Sequence, residues 1–187
     1  MNEMTAVLIP IKSFNEAKER LSETLDKSER SILMQKMAET VISSSGSLSI
    51  WVVCDDDEVA SWAESKNVSV IKVEKPGLNN AVEKGVNTLE EAGFSKVIIA
   101  HADLPNADDL QKCANFKGVT VVQDHKGDGT PVLVIPTGKG FRFSYGPNSF
   151  TAHILEAQRL GLPYRQLFDP KLSFDVDEPE DLKFIDY

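Results

Sequence analysis

Strand-length apolar runs alternate with stretches of helical periodicity along nearly the whole chain, and this order restricts the fold more than any other feature. The predicted strands lie at residues 7–11, 50–54, 68–71, 96–100, 119–123 and 132–135. The predicted helices run from near Ser28 to about residue 43, from Val59 to Lys66, from after Gly77 to about Gly93, and from about Ser149 to Leu160. Such an alternation is typical of a mostly parallel sheet covered by helices on both faces, the doubly wound α/β class.

The run Lys96–Ala100 is the most apolar of the predicted strands, and we expect it at the centre of the sheet. A strand that is covered by helices on both faces reads as a continuous apolar run. The segment at residues 124–131 is rich in turn formers, so it is expected to be an exposed loop between two strands.

Length, charge and cysteine content narrow the class of protein. A chain of 187 residues can form one compact domain without disulfides or a structural metal, and we expect a single domain over residues 1–187. Its apolar runs are far shorter than the ~20 residues that span a bilayer, and no secretory signal is visible. The net charge of -9 opposes binding to nucleic-acid backbones. We therefore expect a cytoplasmic protein with two reduced cysteines, Cys54 and Cys113, that binds neither membranes nor nucleic acid.

Open α/β sheets bind ligands beyond the carboxyl ends of their strands, so polar residues that follow a strand are candidate site residues. Four such segments stand out: the stretch after the first strand, the acidic turn at residues 55–57, Asp103 after the central strand, and the acidic segment 174–182. After the first strand, Lys12, Lys18 and Arg20 fall within nine residues of an acidic protein. Such cations suit a triphosphate, and taken alone a solvated basic face paired with neighbouring glutamates explains them about equally well. Their position after the first strand favours the triphosphate.

Three aspartates are candidate metal ligands. Asp103 follows the central strand, where a carboxylate is well placed to bind Mg²⁺, and a helix N-cap is the alternative role. Asp175 and Asp177 alternate around Val176, so they face the same side of an extended segment. Two such carboxylates repel each other unless a cation joins them. Capping of a following helix explains Asp177 about as well as a metal does.

Glycines and small hydroxyl residues mark a further candidate site. Gly129 and Thr130 lie in the loop 124–131, and Gly146 precedes Ser149 at the predicted start of the last helix. Glycine lets backbone amides approach a ligand closely, and Ser149 can present its hydroxyl beside free helix amides to a phosphate or carboxylate. A plain N-cap role for Ser149 stays open.

In their order and spacing, these motifs resemble the 2-phospho-L-lactate guanylyltransferase family, also called the CofC or FbiD family. The resemblance covers nearly the whole chain and rests on residues 10–12, 17–22, 78–81, 102–105, 129–130, 145–146, 149–153 and 175–182. It implies a nucleotide-diphospho-sugar transferase fold of the GT-A-like, Rossmann-like type. It also implies transfer of GMP from GTP to a phosphorylated three-carbon acid, with Mg²⁺ and release of pyrophosphate, in coenzyme F-420 biosynthesis.

The resemblance also implies roles for the candidate residues. In the nucleotide site, Lys12, Lys18 and Arg20 would be catalytic and hold the GTP phosphates, with Pro10, Leu78 and Asn79 beside the nucleotide. The acid would be bound by Thr130, Gly146 and Ser149, and Mg²⁺ by Asp103 with Asp175 or Asp177. Pro131 departs from the usual Gly-Thr-Asn loop of the family, since it removes an amide donor and a side-chain hydrogen bond. The acid therefore stays open among 2-phospho-L-lactate, phosphoenolpyruvate and 3-phosphoglycerate.

Two other functions stay open from the sequence. One is another small nucleotidyltransferase of the same fold, acting on a molybdopterin, a sugar phosphate or a methylerythritol phosphate. A glycine-rich loop after the first strand would favour these, and residues 11–14 contain no glycine. The other is a nucleotide-binding protein without turnover. The presence of Asp103 together with the three cations argues against it. A homodimer is compatible with the sequence, which does not determine the oligomeric state.

Overall fold

The structure is a computed structural model and describes residues 4–185. Within this range, seven strands are formed: β1 (Thr5–Pro10), β2 (Ser49–Cys54), β3 (Ser69–Lys72), β4 (Lys96–Ala100), β5 (Val119–Val122), β6 (Val132–Pro136) and β7 (Tyr164–Leu167). The same residues form four α-helices: α1 (Lys27–Ser44), α2 (Asp57–Ser65), α3 (Leu78–Glu91) and α4 (Ser149–Arg159). They also form three short 3-10 helices, Glu19–Glu23, Gln111–Asn115 and Pro179–Phe184.

All seven strands belong to one sheet, in the order β3-β2-β1-β4-β6-β5-β7. Neighbouring strands run parallel except at β6, which is antiparallel to both β4 and β5. The strand β4 lies at the centre of this order and is buried at every position, as its apolar run predicted. The mostly parallel sheet confirms the predicted α/β class.

Helices cover both faces of the sheet because alternate residues of each strand point to opposite faces. On one face, Val7 and Ile98 share a core with residues of α1 and α2 such as Leu33. On the other face, Leu8 belongs to a second core with residues of α3 and α4 such as Val86. This two-sided covering confirms the doubly wound arrangement.

The predicted elements are all present, and their ends differ from the prediction by at most two residues. The strand β7 was not predicted. The expectation of an exposed loop at residues 124–131 is wrong for its two ends: residues 125–128 are exposed, but Asp124, Thr130 and Pro131 are buried. The ends are buried because β6 returns antiparallel beside β4 and draws them against the sheet.

Both cysteines are buried and free, as predicted. Among residues 4–185, none of the helices has the length and apolar character needed to cross a membrane.

Candidate active site

The candidate residues meet at one edge of the sheet, which the carboxyl ends of β1, β2 and β4 form. The pairing of Pro10 with Val53 aligns β1 with β2 at this edge. Because β6 is antiparallel, Val132 at its start pairs with Ala100 at the end of β4, and the loop before β6 reaches the same edge. A cleft of about 530 Å³ opens here, and its lining includes Pro10, Lys12, Lys18, Arg20, Leu78, Asp103 and Asp177.

Lys18 is a buried cation at this edge. Its side chain is only 10% exposed, and its Nζ donates to Asp103 Oδ2 at 2.5 Å and to Asp177 Oδ1 at 2.8 Å. Its backbone is left-handed, with φ of 54°, directly before the 3-10 helix Glu19–Glu23. This conformation is uncommon for a residue other than glycine. Burial opposes the charge on Lys18, but the two carboxylates outweigh burial and raise its pKa.

Asp103, Asp175 and Asp177 form a carboxylate cluster around Lys18. One ligand oxygen of each lies within 4.8 Å of the others. Burial alone would raise the pKa of Asp103 and of Asp177, but the positive charge of Lys18 outweighs burial and lowers both pKa values. The pKa of Asp177 falls to about 2. For Asp175, burial and then the charges of Asp103 and Asp177 raise the pKa to about 7, outweighing Lys18. Lys126 Nζ also lies 3.4 Å from Asp177 Oδ2 at this cluster. Once Asp175 is ionised, the three carboxylates therefore carry one negative charge more than the two ammonium groups balance.

The chemistry of these donors fits Mg²⁺. Asp103 Oδ1 and Asp175 Oδ1 are buried and have no hydrogen-bond partner among residues 4–185. Asp175 Oδ1 lies 3.3 Å from His125 Nδ1, within ion-pair distance but without the geometry of a hydrogen bond. Buried polar atoms are normally paired, so the two oxygens are available to a cation. Mg²⁺ prefers such hard oxygen ligands and usually takes one or two carboxylates beside phosphates.

The other two cations are exposed at the cleft. Lys12 forms an ion pair with Glu16 at 3.1 Å, and Arg20 forms one with Glu178 at 2.8 Å. Their side chains are 69% and 70% exposed. The solvated-face alternative therefore describes Lys12 with its neighbour Glu16. Arg20 is equally exposed but pairs with a glutamate that is distant in the sequence, and Lys18 is buried. A contact of Lys12 or Arg20 with phosphates stays a prediction.

Asn79 supports the segment that leads to Gly146. Its Nδ2 donates to the carbonyl oxygen of Tyr145 at 3.1 Å, and its Oδ1 accepts the N–H of Tyr145 at 2.7 Å. The amide thus pairs with the backbone as a neighbouring strand would. Pro10 and Leu78 line the cleft directly. A contact between Asn79 and a nucleotide stays a prediction.

Thr130 and Ser149 meet in a buried hydrogen-bond network with His153. Ser149 Oγ donates to Thr130 Oγ1 at 3.3 Å, and His153 Nδ1 lies 3.1 Å from the same oxygen. The N–H of Ser144 donates to His153 Nε2 at 3.2 Å, which places the ring proton on Nδ1. Burial lowers the pKa of His153 to about 4, so the ring is neutral at neutral pH. Because Thr130 Oγ1 accepts both bonds, its own proton takes part in neither of them.

The capping roles considered for Ser149 and Asp177 do not describe the structure. The N-cap of α4 is Asn148, whose φ is 61°, and Ser149 is the first helical residue. Asp128 Oδ1 accepts the N–H of Asn148 at 2.9 Å and holds this turn. At the C-terminal segment the N-cap is Glu178, while the side chain of Asp177 bonds Lys18.

Gly129 leaves room for the side chain of Asp124. A Cβ atom built on Gly129 would lie 2.5 Å from Asp124 Oδ2, so any other residue would displace that buried carboxylate. The carboxylate is engaged in the loop, since Asp124 Oδ1 accepts the N–H of Asp128 at 2.8 Å. No local pattern in the sequence indicates this role for Asp124.

The family of the chain follows from its comparison with known proteins. A family model described as "Guanylyl transferase CofC like" matches residues 5–185. The chain belongs to this family. It is 31% identical over 183 residues to the 2-phospho-L-lactate guanylyltransferase of Methanocaldococcus vulcanius, covering 94% of this chain and 81% of that protein. It is 31% identical over 184 residues to the phosphoenolpyruvate guanylyltransferase of Roseiflexus castenholzii, covering 95% and 86%.

The CofC-like chain also shares its fold with solved nucleotidyltransferases. A nucleotidyl transferase from Methanothermobacter thermautotroptrophicus matches with a TM-score of 0.70 and 14% identity, over 97% of this chain and 95% of that one. At this identity the likeness shows the fold alone. It agrees with the nucleotidyltransferase fold that the sequence motifs implied.

In this CofC-like protein six of the predicted site residues form two clusters, with aromatic rings between them. Lys18 and the three aspartates form the first cluster, and Thr130 with Ser149 belongs to the second. The rings of His101, Tyr145 and His153 lie between the two clusters. The ring centroids of His101 and Tyr145 are 5.2 Å apart, and those of Tyr145 and His153 are 4.8 Å apart. The sequence alone assigns no role to His101 or His153, because no local pattern shows that these rings meet.

Proposed function

We propose that this protein is a guanylyltransferase that transfers GMP from GTP to the phosphate of a three-carbon phospho-acid. The observation that carries the proposal is the buried cluster of Lys18, Asp103, Asp175 and Asp177 at the cleft, in a chain of the CofC-like family. Relatives named for 2-phospho-L-lactate and for phosphoenolpyruvate support this class of acid. The family resemblance would place the product in coenzyme F-420 biosynthesis.

The reaction needs no nucleophile from the protein. A phosphate oxygen of the acid forms a bond to the α-phosphorus of GTP, and the bond from that phosphorus to the oxygen bridging the β-phosphate breaks. Pyrophosphate leaves with the bonding electron pair. The attacking oxygen is already anionic at neutral pH, so no side chain has to remove a proton from it. The protein has to align two anions and offset their repulsion.

The charged residues at the cleft suit that task. Lys18 keeps its proton because Asp103 and Asp177 accept hydrogen bonds from it, so it would supply a fixed positive charge beside the triphosphate. Lys12 and Arg20 are exposed at the same cleft and can exchange their glutamate partners for phosphate oxygens. Asp103, Asp175 and Asp177 would hold Mg²⁺. When bound, Mg²⁺ neutralises charge on the triphosphate and on the departing pyrophosphate.

We assign the phospho-acid to the second cluster. The hydroxyl of Thr130, the Ser149 hydroxyl and the N-terminus of α4 suit a phosphate or a carboxylate. The loop 124–131 and β4 end at the same edge of the sheet, which would bring an acid bound there toward the nucleotide.

Pyrophosphate release tests the proposed function. With GTP and Mg²⁺, we expect turnover with at least one of 2-phospho-L-lactate, phosphoenolpyruvate and 3-phosphoglycerate. Asp103→Asn keeps the size of the side chain but removes its charge, so it should lower kcat about a hundredfold or more across a magnesium titration, since losing a preorganised charge contact costs ~3–4 kcal/mol.

The matched control is Asp108→Asn, which removes an exposed carboxylate from the same segment and should leave kcat unchanged. Thermal melts should show that both variants are folded. If no acid supports pyrophosphate release, or if Asp103→Asn turns over like the wild type, the proposed function is wrong.

A further inference from the structure

Asp55 differs from the other residues of the acidic turn after β2, because the structure gives its side chain no partner within residues 4–185. Four acidic residues occur in succession at residues 55–58. Three of them are engaged within the protein: Asp56 with the first N–H groups of α2, Asp57 with Lys72 at 2.8 Å, and Glu58 with Asn15 at 2.6 Å. Asp55 is exposed and lines the cleft, and its side chain has no hydrogen bond or ion pair with any residue in 4–185.

The position of Asp55 in the cleft is defined by the order of the strands. The carboxyl ends of β4, β1, β2 and β3 follow one another along the sheet edge. Lys18 and Asp103 line the cleft at the β4 and β1 end, whereas Asp55 and Val73 line it at the β2 and β3 end. If the triphosphate lies at Lys18, as the proposed function requires, the base of the nucleotide falls toward Asp55.

The cleft wall near Asp55 is largely apolar. It includes side chains from the end of β2, from the residue after β3 and from the first turn of α3: Val53, Val73, Leu78 and Ala81. Such a wall can cover the face of a purine but does not distinguish one base from another. Base selection at this end therefore needs a polar group directed at the edge of the ring. Asp55 is a carboxylate at the cleft that has no other partner within the described part of the chain.

We propose that Asp55 selects guanine by accepting hydrogen bonds from its N1–H and its exocyclic N2 amino group. These two donors are adjacent on guanine and match the two acceptor oxygens of one carboxylate. Adenine and cytosine each present a ring-nitrogen lone pair in the corresponding position, and uracil presents one N–H between two carbonyl oxygens. A carboxylate repels these lone pairs, so Asp55 favours guanine over the other three bases. This inference rests on the proposed function, because it takes GTP as the nucleotide.

Calorimetric binding of nucleotides in the presence of Mg²⁺ and without any acid tests the assignment. Asp55→Asn keeps the size of the side chain, but its amide can accept only one of the two guanine donors and opposes the other. We expect the Kd for GTP to rise about ten- to a hundredfold, the range for loss of a hydrogen bond to a charged group. The preference for GTP over ITP, which lacks the N2 amino group, should shrink in the variant. The preference for GTP over ATP should shrink as well.

Two further variants make the test specific. Asp57→Asn removes a charge from the same turn at a residue that bonds Lys72, and it should bind all three nucleotides like the wild type. Asp55→Glu keeps a carboxylate, so it should retain the preference for GTP over ITP even where its overall affinity falls. Together the variants separate base recognition from loss of charge and from a change in pocket shape.

Two outcomes would overturn the role of Asp55. One is an unchanged preference for GTP over ITP in Asp55→Asn, and the other is an equal loss of affinity for GTP, ITP and ATP. Failure of the proposed function has a different signature. A wild type that binds GTP but releases no pyrophosphate with any acid contradicts the enzyme proposal, while the binding test of Asp55 still stands.

Discussion

The carboxyl group of Asp175 should make the stability of the metal-free protein depend on pH. Burial, followed by the charges of Asp103 and Asp177, raises its pKa from 3.8 to about 7 on folding. The folded state binds the proton more tightly than the unfolded chain, so the stabilisation from this proton is complete below about pH 4 and is lost as the pH rises through about 7. We therefore expect Asp175→Asn to melt at a higher temperature than the wild type above pH ~7, with a smaller difference near pH ~5.

Melting curves over this pH range, with a chelator present, check the prediction. Glu180→Gln removes an exposed carboxylate nearby and should follow the wild type at every pH. Added Mg²⁺ should stabilise the wild type more than Asp175→Asn. A difference between the two proteins that does not change with pH would show that the Asp175 carboxyl is not the group responsible.

Single residues were predictable from the sequence where their position after a strand determines their location. Asp103 comes three residues after the end of the central strand, and it does reach the edge of the sheet. By contrast, Lys12 and Lys18 belong to one basic stretch, yet only Lys18 is buried, because its left-handed backbone and two distant aspartates direct it inward. Asn79 pairs with Tyr145, 66 residues away, and such a contact leaves no local pattern in the sequence.

At the scale of the element, a capping box fixes the start of α1. Asp26 Oδ1 accepts the N–H of Glu29 at 2.9 Å, and Glu29 Oε2 accepts the N–H of Asp26 at 2.8 Å. Asp26→Ala removes the cap, which costs ~0.5–2 kcal/mol of stability. For a domain of this size each kcal/mol corresponds to about 2–4 °C in Tm. We expect Tm to fall by a few degrees in a thermal melt. Turnover should change little, because the cap lies outside the carboxylate cluster.

Glu23→Ala, which removes an exposed carboxylate three residues upstream, is the matched control and should leave Tm unchanged. An equal loss of Tm in both variants would attribute the effect to net charge rather than to the cap.

The elements that the sequence predicted best are those with a periodic apolar pattern, such as β4 and α3. The strand β7 was missed because its sequence, Tyr-Arg-Gln-Leu, has little apolar pattern, and it lies at an edge of the sheet where none is needed. The direction of β6 was not predictable either, since a parallel and an antiparallel strand can show the same apolar run. That direction matters for the site, because it brings Thr130 to the edge where Asp103 lies.

At the scale of the whole molecule, the site is assembled from segments that are far apart in the chain. Residues that follow β1 and β4 meet the C-terminal segment in the carboxylate cluster around Lys18. The loop before β6 meets α4 in the second cluster, at Thr130 and Ser149. A ligand that bridges these segments binds only the folded chain. Its binding free energy should therefore appear as thermal stabilisation of the protein as a unit.

Thermal melts with GTP and Mg²⁺ measure this linkage. A ligand at a hundredfold excess over its Kd stabilises the folded state by ~2.7 kcal/mol, which for a chain of this size is a rise of about 5–11 °C in Tm. Because the carboxylate cluster is short of positive charge, GTP with a chelator should give a much smaller rise than GTP with Mg²⁺. Asp103→Asn should lose most of that magnesium-dependent difference, whereas Asp108→Asn should keep it. An equal rise with and without Mg²⁺ in the wild type would mean that the nucleotide binds without a metal at the three aspartates, and that the cluster serves only to hold Lys18.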